Sequence, residues 1–303
     1  MAVIVFQGEH GSFSEQACHQ QFGVGVHTVS CRTFEELFST LDNDRATAGV
    51  VPVENSAAGS INKASDLLFN HDLRIQGEII LRVEHNLLAI PGHGDKIKKV
   101  RSHTQALSQC EGFLNRNSFE AVPWYNTAGS AKDLAECPEP NVGVIASSLA
   151  AEIYGLEIVR RNIEDASFNY TRFVVIGKGE AGQTDNAKTS IVFVTPHNPD
   201  GLSACIREFA DRKIKLLRLV SRPRRDYPWQ YVFYMDVEGH WREPECGAAL
   251  LGLLNNAAFV KMLGSYPAAV QSVADRYVRK TVLQEQVQGI QADTTIELPG
   301  IGS

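Results

Sequence analysis

No stretch of this 303-residue chain reaches the roughly 18 consecutive apolar residues that cross a bilayer. Basic charge is not in excess either. Lys and Arg number 29 against 35 Asp and Glu, a formal net charge of −6, so the composition offers no basic face for a nucleic acid. Cysteine is sparse and unpatterned. Cys18, Cys31, Cys110, Cys137, Cys205 and Cys246 form no Cys-x-x-Cys pair, and no histidine stands at zinc-ligand spacing from them. They read as reduced thiols of a cytosolic protein, several buried as small hydrophobes. His71, His85, His93 and His103 make no ligand motif, so no metal site is expected. The opening Val3–Phe6 has no basic flank and reads as a first strand, not a signal peptide. What is present is ordinary for a soluble globular protein: 44% hydrophobic and 21% charged residues, in a length that allows two or three cores.

The first 177 residues repeat one theme, an apolar strand, a turn of small residues and an amphipathic helix. Ser12 and Glu15 have capping-box spacing, as do Thr33 and Glu36, and Ser102-His103-Thr104-Gln105 is read as a third such start. Phe34, Leu37, Phe38 and Leu41 recur on one helix face. Strands alternating with helices imply an α/β domain with a mostly parallel sheet. Several helix N-termini rich in Ser, Thr, Asn or Gly should then gather at one sheet edge. Their free N–H groups attract anions, although each turn by itself could be only a good cap. Lys178–Lys188 is polar and reads as a linker. Beyond it, strand and helix patterns follow in the order β-α-β-β-α-β, the ferredoxin-like plan. A helix is expected from Val270 to about Gln286, in a tail that would pack on a neighbouring subunit or fray.

The densest chemistry lies in Asn169-Tyr170-Thr171-Arg172-Phe173, at the entry to the apolar Val174–Gly177. A hydroxyl that can donate a hydrogen bond sits beside a guanidinium that can clamp a carboxylate with two parallel bonds. Thr-Arg pairs in strands are more often structural, so the company this pair keeps decides the matter. Glu54-Asn55-Ser56 puts three polar side chains at one strand end, more than capping requires.

Five spaced motifs now stand in order: Gly8-x-x-Gly11-Ser12-Phe13-Ser14; Pro52-Val53-Glu54-Asn55-Ser56-x-x-Gly59-Ser60; Ser102-His103-x-Gln105-Ala106-Leu107; Thr127-Ala128-Gly129-Ser130-Ala131; and Asn169-x-Thr171-Arg172-Phe173. With them the chain resembles bacterial prephenate dehydratases from residue 1 to about 265, and its second module resembles an ACT domain. The resemblance implies a bilobed α/β catalytic domain with the fold of type II periplasmic binding proteins at 1–178, a linker at 179–188, a ferredoxin-like ACT regulatory domain at 189–267 and a tail at 268–303. It implies loss of carbon dioxide and the ring hydroxyl from prephenate, giving phenylpyruvate, without a cofactor.

By the same resemblance Thr171 would donate to the departing hydroxyl, as a preorganised hydrogen bond. Arg172 would hold a substrate carboxylate. The pyruvyl carboxylate is expected, because a salt bridge to the carboxylate that leaves would stabilise the ground state. Asn55, Ser56, Ser102, Gln105, Thr127 and Asn169 would supply neutral donors. Phe173 is grouped with the substrate-binding set, yet reads as a core ring fixing the strand end. Glu54 would either orient a neighbour or help the leaving group. In the second role its pKa would have to be raised, since a bare carboxylate repels a dianion.

Phenylalanine is the implied effector, bound near Asp200, Gly201, Leu202 and Ser203 and near Ser221, Arg222 and Pro223. The chain has Val220 where the ACT pattern has Glu, which removes one acidic partner for an amino group. A homodimer or homotetramer is implied. Arogenate dehydration and a non-catalytic amino-acid sensor are the alternatives.

Overall fold

The computed structural model describes residues 2–196, 198–224 and 230–269. The helix expected at 270–286 and the tail lie outside them. The first lobe is built from β1 (Val3–Gln7), α1 (Phe13–Phe22), β2 (His27–Cys31), α2 (Phe34–Asp42), β3 (Ala48–Asn55), β4 (Gly59–Ser60), α3 (Asn62–Asn70) and β5 (Arg74–Arg82). The second holds β6 (Asn86–Ala89), β7 (Lys99–Ser102), α4 (Thr104–Gln109), α5 (Glu111–Arg116), β8 (Glu120–Pro123), α6 (Thr127–Glu136), β9 (Val142–Ala146), α7 (Ser148–Tyr154) and β10 (Glu157–Arg160). The chain then returns to the first lobe as β11 (Tyr170–Gly177). The first sheet runs β2-β1-β3-β11-β5, with β4 beside β3, and the second β10-β6-β9-β7-β8.

The mostly parallel sheet expected from the alternation is therefore mixed. β11 enters between β3 and β5 and is antiparallel to both, while β6 is antiparallel to β9 and to β10. The reason is topological. A chain that leaves one lobe and comes back inserts its returning strand in the opposite sense, and hydrophobic alternation does not record direction.

β12 (Ala187–Val194), α8 (Gly201–Ala210), β13 (Leu216–Pro223), β14 (Tyr231–Glu238), α9 (Pro244–Asn256) and β15 (Phe259–Pro267) follow in the β-α-β-β-α-β order, with the sheet ordered β13-β14-β12-β15. One face of this sheet packs under α8 and α9 through Ile191, Phe193, Phe209, Met235 and Leu253. The opposite face shares a core with the first lobe. Val192, Val232, Tyr234, Leu263 and Tyr266 pack with Val53, Leu67, Leu68, Ile75, Val174 and Ile176. Five of the six cysteines are buried and all are free thiols. No described helix is long and apolar enough to cross a membrane.

Polar contacts fasten the seam. The Lys261 ammonium reaches the carbonyls of Leu68, Phe69 and His71 at 3.0, 2.9 and 2.6 Å, where α3 ends with unpaired acceptors. Arg222 pairs with Asp66 of α3. Gly264 passes so close to Ile75 that a Cβ there would overlap its carbonyl oxygen.

At the centre of the seam Arg172 donates through Nε to Glu78, through Nη1 to Asp236 (2.7 Å) and through Nη2 to the Tyr266 hydroxyl (3.0 Å). Lys188 binds the same Glu78 at 2.7 Å, and Ser190 donates to Asp236 at 2.6 Å. Burial alone would raise both carboxyls. The Arg172 guanidinium, together with Lys188 at Glu78 and with Arg218 and the Ser190 hydroxyl at Asp236, outweighs it and holds both below their ordinary values.

These depressed carboxylates give a signed expectation. Their contribution is full above the ordinary carboxylate range and is lost as pH falls through the lower folded-state values. Asp236→Asn should cost about 3–5 kcal/mol at pH 7, since it leaves a buried guanidinium under-compensated. The gap to the wild type should begin to narrow below about pH 4, where the carboxylate protonates in the unfolded chain while the folded protein still holds it ionised. Denaturant titrations of both proteins from pH 7 to pH 3 check this. A gap that stays constant with pH would contradict it.

Candidate active site

The strand register sorts the two neighbours of the Thr171-Arg172 pair onto opposite faces. Thr171 is level with Asn55 across β3, and Arg172 is level with Glu54. Because side chains alternate along a strand, Asn55 and Thr171 share one face while Glu54 and Arg172 share the other. Phe173 follows Thr171 into the core with Ile4, Phe6 and Ile79, as its reading as a structural ring expects.

The register sets Arg172, expected to clamp a substrate carboxylate, on the face opposite Thr171. Its three donor nitrogens are committed to Glu78, Asp236 and Tyr266, and it faces the C-terminal sheet. Adjacency in sequence placed it beside Thr171, and pleating turned it away. Glu54 goes with it. Its carboxylate lies 3.1 Å from Arg218 Nε and 3.9 Å from Arg172 Nη1, away from the Thr171 hydroxyl.

On the other face a neutral cluster forms. The Asn55 amide donates to Thr171 Oγ1 (2.9 Å) and to Asn169 Oδ1 (2.9 Å), while its own Oδ1 accepts the N–H groups of Ala57 (3.0 Å) and Ala58 (2.9 Å). Asn55, Asn169 and Thr171 are all buried, at 7%, 2% and 8% exposure, so each polar atom needs such a partner. Ser56 braces the strand entry: its hydroxyl accepts from Tyr170 N–H (2.9 Å) and donates to Phe168 O (3.0 Å).

A cavity of about 180 Å³ lies between the lobes, lined by Gly8, Gly11, Ser12, Ser14, His103, Asn126, Thr127 and Ser147 among others. Four of these cap helices, His103 among them at the start of α4. Ser12 opens α1, Asn126 accepts Gly129 N–H (3.0 Å) at the start of α6, and Ser147 accepts Ala150 N–H (3.0 Å) at α7. The gathering of helix N-termini expected from the turns is thus present.

The loop of the first lobe is fixed by Glu15. The carboxylate accepts from Gly11 N–H (2.6 Å), meets His10 Nδ1 (2.7 Å) and receives the Thr28 hydroxyl (2.8 Å). Burial would raise its pKa, but these hydrogen bonds and His10 outweigh burial and lower it. Gly11 has a φ of +81°, and a Cβ on it would sit 2.6 Å from Ala150 Cα of the other lobe. Its carbonyl accepts the Ser147 hydroxyl at 2.5 Å.

Of the expected neutral donors, then, Asn55, Asn169 and Thr171 come together, and Thr127 lies on the cavity. Ser102 does not take part. It is fully buried and its hydroxyl is spent on Ile145 O (2.8 Å). The cap of α4 is His103, which accepts Gln105 N–H (3.3 Å), in place of the Ser102 start read from sequence. Gln105 is exposed on the first turn of that helix. Asn126 and Ser147 were not singled out as site residues. Their signal was the cap position itself, which they share with Ser12.

Residues 4–181 match the family model for prephenate dehydratase. The prephenate dehydratase of Methanocaldococcus jannaschii is 35% identical over 271 residues, which cover 87% of this chain and 97% of that one. Among solved structures, the prephenate dehydratase of Arthrobacter aurescens in complex with L-Phe has a TM-score of 0.81 at 29% identity, over 88% of this chain and 90% of that one. GqqA, described as a novel type of quorum quenching acylase, has the same TM-score at 34% identity, over 88% of this chain and 98% of that one. Motif order, two-lobed fold and these matches agree: the chain belongs to the prephenate dehydratase family.

Proposed function

We propose that Thr171 donates the hydrogen bond that eases departure of the ring hydroxyl as this enzyme converts prephenate to phenylpyruvate. One observation carries the reading. Asn55 is turned by Ala57 and Ala58 N–H so that its amide donates to Thr171 Oγ1, which therefore acts as an acceptor there. Among the described residues the hydroxyl hydrogen has no acceptor of its own, so it remains available to a leaving group. An alcohol is too weak an acid to ionise here. It contributes by meeting charge as it develops, while aromatisation supplies the driving force.

The two substrate carboxylates need partners now that Arg172 is committed elsewhere. The N-termini of α1 and α6, which converge on the cavity, offer backbone N–H groups and the positive ends of two ten-residue helices. Neutral donors of this kind hold an anion without the deep ground-state stabilisation that an ion pair would give the carboxylate that leaves.

Regulation is assigned to the C-terminal module. Val194 and Arg222 are both level with Val232, so the start of α8 and the 221–223 segment lie at the same end of the sheet, with β14 between their strands. Asp200–Ser203, Ser221 and Pro223 are the proposed surroundings of phenylalanine. Arg222 is a tie to Asp66 and contributes there as a brace. Self-association through α9, whose Leu251 and Leu254 are exposed, is part of the same proposal and makes the enzyme a homodimer or homotetramer.

Thr171→Ala should lower kcat roughly 100-fold, about 2–4 kcal/mol of transition-state stabilisation, with KM little changed. Thr171→Ser should recover most of it. The ultraviolet signal of phenylpyruvate reads both, and wild-type turnover by the alanine variant would remove Thr171 from its role. Calorimetry of phenylalanine into the full-length enzyme should give saturable heat. Heat undiminished by Gly201→Val, which would crowd Pro196 O and Asn198, would move the effector elsewhere.

A further inference from the structure

We propose that Gln109 is a positioning residue for the reaction: anchored by His85, it fixes through Asn169 and Asn55 the direction in which the Thr171 hydroxyl donates. The proposal rests on the reading of Thr171 as the donor. It adds two residues, from outside the strand pair, that no motif singled out for this role.

The argument starts at the backbone. Asn55 Oδ1 accepts the N–H groups of Ala57 and Ala58, and a backbone N–H can only donate. The Asn55 amide nitrogen must therefore face Asn169 and Thr171. Whatever atom of Asn169 receives it must be Oδ1, at 2.9 Å. That turns the Asn169 amide nitrogen toward Gln109, whose receiving atom must in turn be Oε1, at 3.0 Å. The same Oε1 lies 2.8 Å from His85 Nε2. An oxygen cannot donate, so His85 carries its proton on Nε2. Two backbone N–H groups thus set the sense of every bond from Thr171 to an imidazole four side chains away.

The chain is also a bridge. Gln109 ends α4 in the second lobe. His85 lies on the segment that leaves the first lobe, and Asn169 on the segment that returns. Gln109 O accepts Asp165 N–H (2.8 Å) from the returning segment, where His85 N–H donates to the Glu164 carboxylate (3.0 Å) and His85 O accepts Ile163 N–H (2.9 Å). Gln109 therefore clasps both crossings.

His85 is 3% exposed, its Nδ1 is buried without a hydrogen-bond partner, and the Phe13 ring stands edge-on to it at 5.6 Å. A buried ring nitrogen left without a partner carries a cost. The cost is explained if the other nitrogen is needed as a donor in a defined place. Phe13 lines the cavity between the lobes, so the anchor of the chain rests against the cavity wall.

The test is a set of full-length variants. Gln109→Leu removes the shared acceptor. It should lower kcat about 10- to 100-fold through misplacement of the donor, with KM within about twofold. Gln109→Glu keeps the accepting oxygen and should recover most of that loss. In the Thr171→Ala background, Gln109→Leu should add no further loss, because there is no hydroxyl left to aim.

If Gln109→Leu retains wild-type kcat, or if its loss multiplies with that of Thr171→Ala, Gln109 does not act through Thr171 and the proposal fails. If Thr171→Ala itself keeps full turnover, the reading beneath it fails first, and the two failures are told apart by that single variant. Independently of activity, nitrogen NMR of ¹⁵N-histidine-labelled enzyme, assigned with His85→Asn, should show a neutral ring protonated at Nε2. A neutral His85 ring protonated at Nδ1 would also overturn the proposal.

Discussion

The guanidinium of Arg172, buried between two sheets and held by Glu78, Asp236 and Tyr266, is the interaction around which the molecule is organised. It draws one carboxylate from β5 and one from β14 onto a strand of the first lobe. Removing such a charge from water is expensive, and the expense is offset only because each nitrogen meets an acceptor and the neighbouring Lys188 balances the second carboxylate. The residue before it on β11 is Thr171. Strand alternation then does the rest: the same short run ties the C-terminal sheet on one face and presents a neutral hydroxyl on the other.

That hydroxyl belongs to an all-neutral set. Asn55, Asn169, Gln109 and His85 bring no net charge to it, and burial keeps the imidazole that way by pushing its pKa down. A dianion approaching such a set meets donors without an opposing carboxylate. Glu54, the one acid of the strand end, is turned across the sheet toward Arg218. Charged and neutral groups are thus separated onto two faces of one sheet, the charged face docking the C-terminal module and the neutral face carrying the proposed donor.

Much of this was legible in the chain. Caps at Ser12 and Thr33, the strand through Val174–Gly177, the turns that line the cavity and the β-α-β-β-α-β order all follow from local spacing, which depends on neighbours in sequence. The motifs that mark the family were legible as well. What could not be read was which way each side chain points once strands pair. Thr171 and Arg172 look like one site in the chain and become two in space. Glu15 had the spacing of a reciprocal cap, but its carboxylate folds the Gly11 loop, because Gly11, His10 and Thr28 compete for it. The short edge strands β2 and β10 carried no clear alternation, and the direction of β11 is a property of chain return that no local pattern encodes.

The polar stretch after Gly177 looks like a place where the chain could be divided. The core says otherwise. Val192, Tyr234, Leu263 and Tyr266 fill the same interior as Val53, Ile75 and Val174. A gene cut there would yield no independent half. It would release a slab with one oily side and, set within it, a cation stripped of Asp236 and Tyr266. Stability is a joint possession of the two modules, and trading the C-terminal one for another would require redesigning the face beneath it.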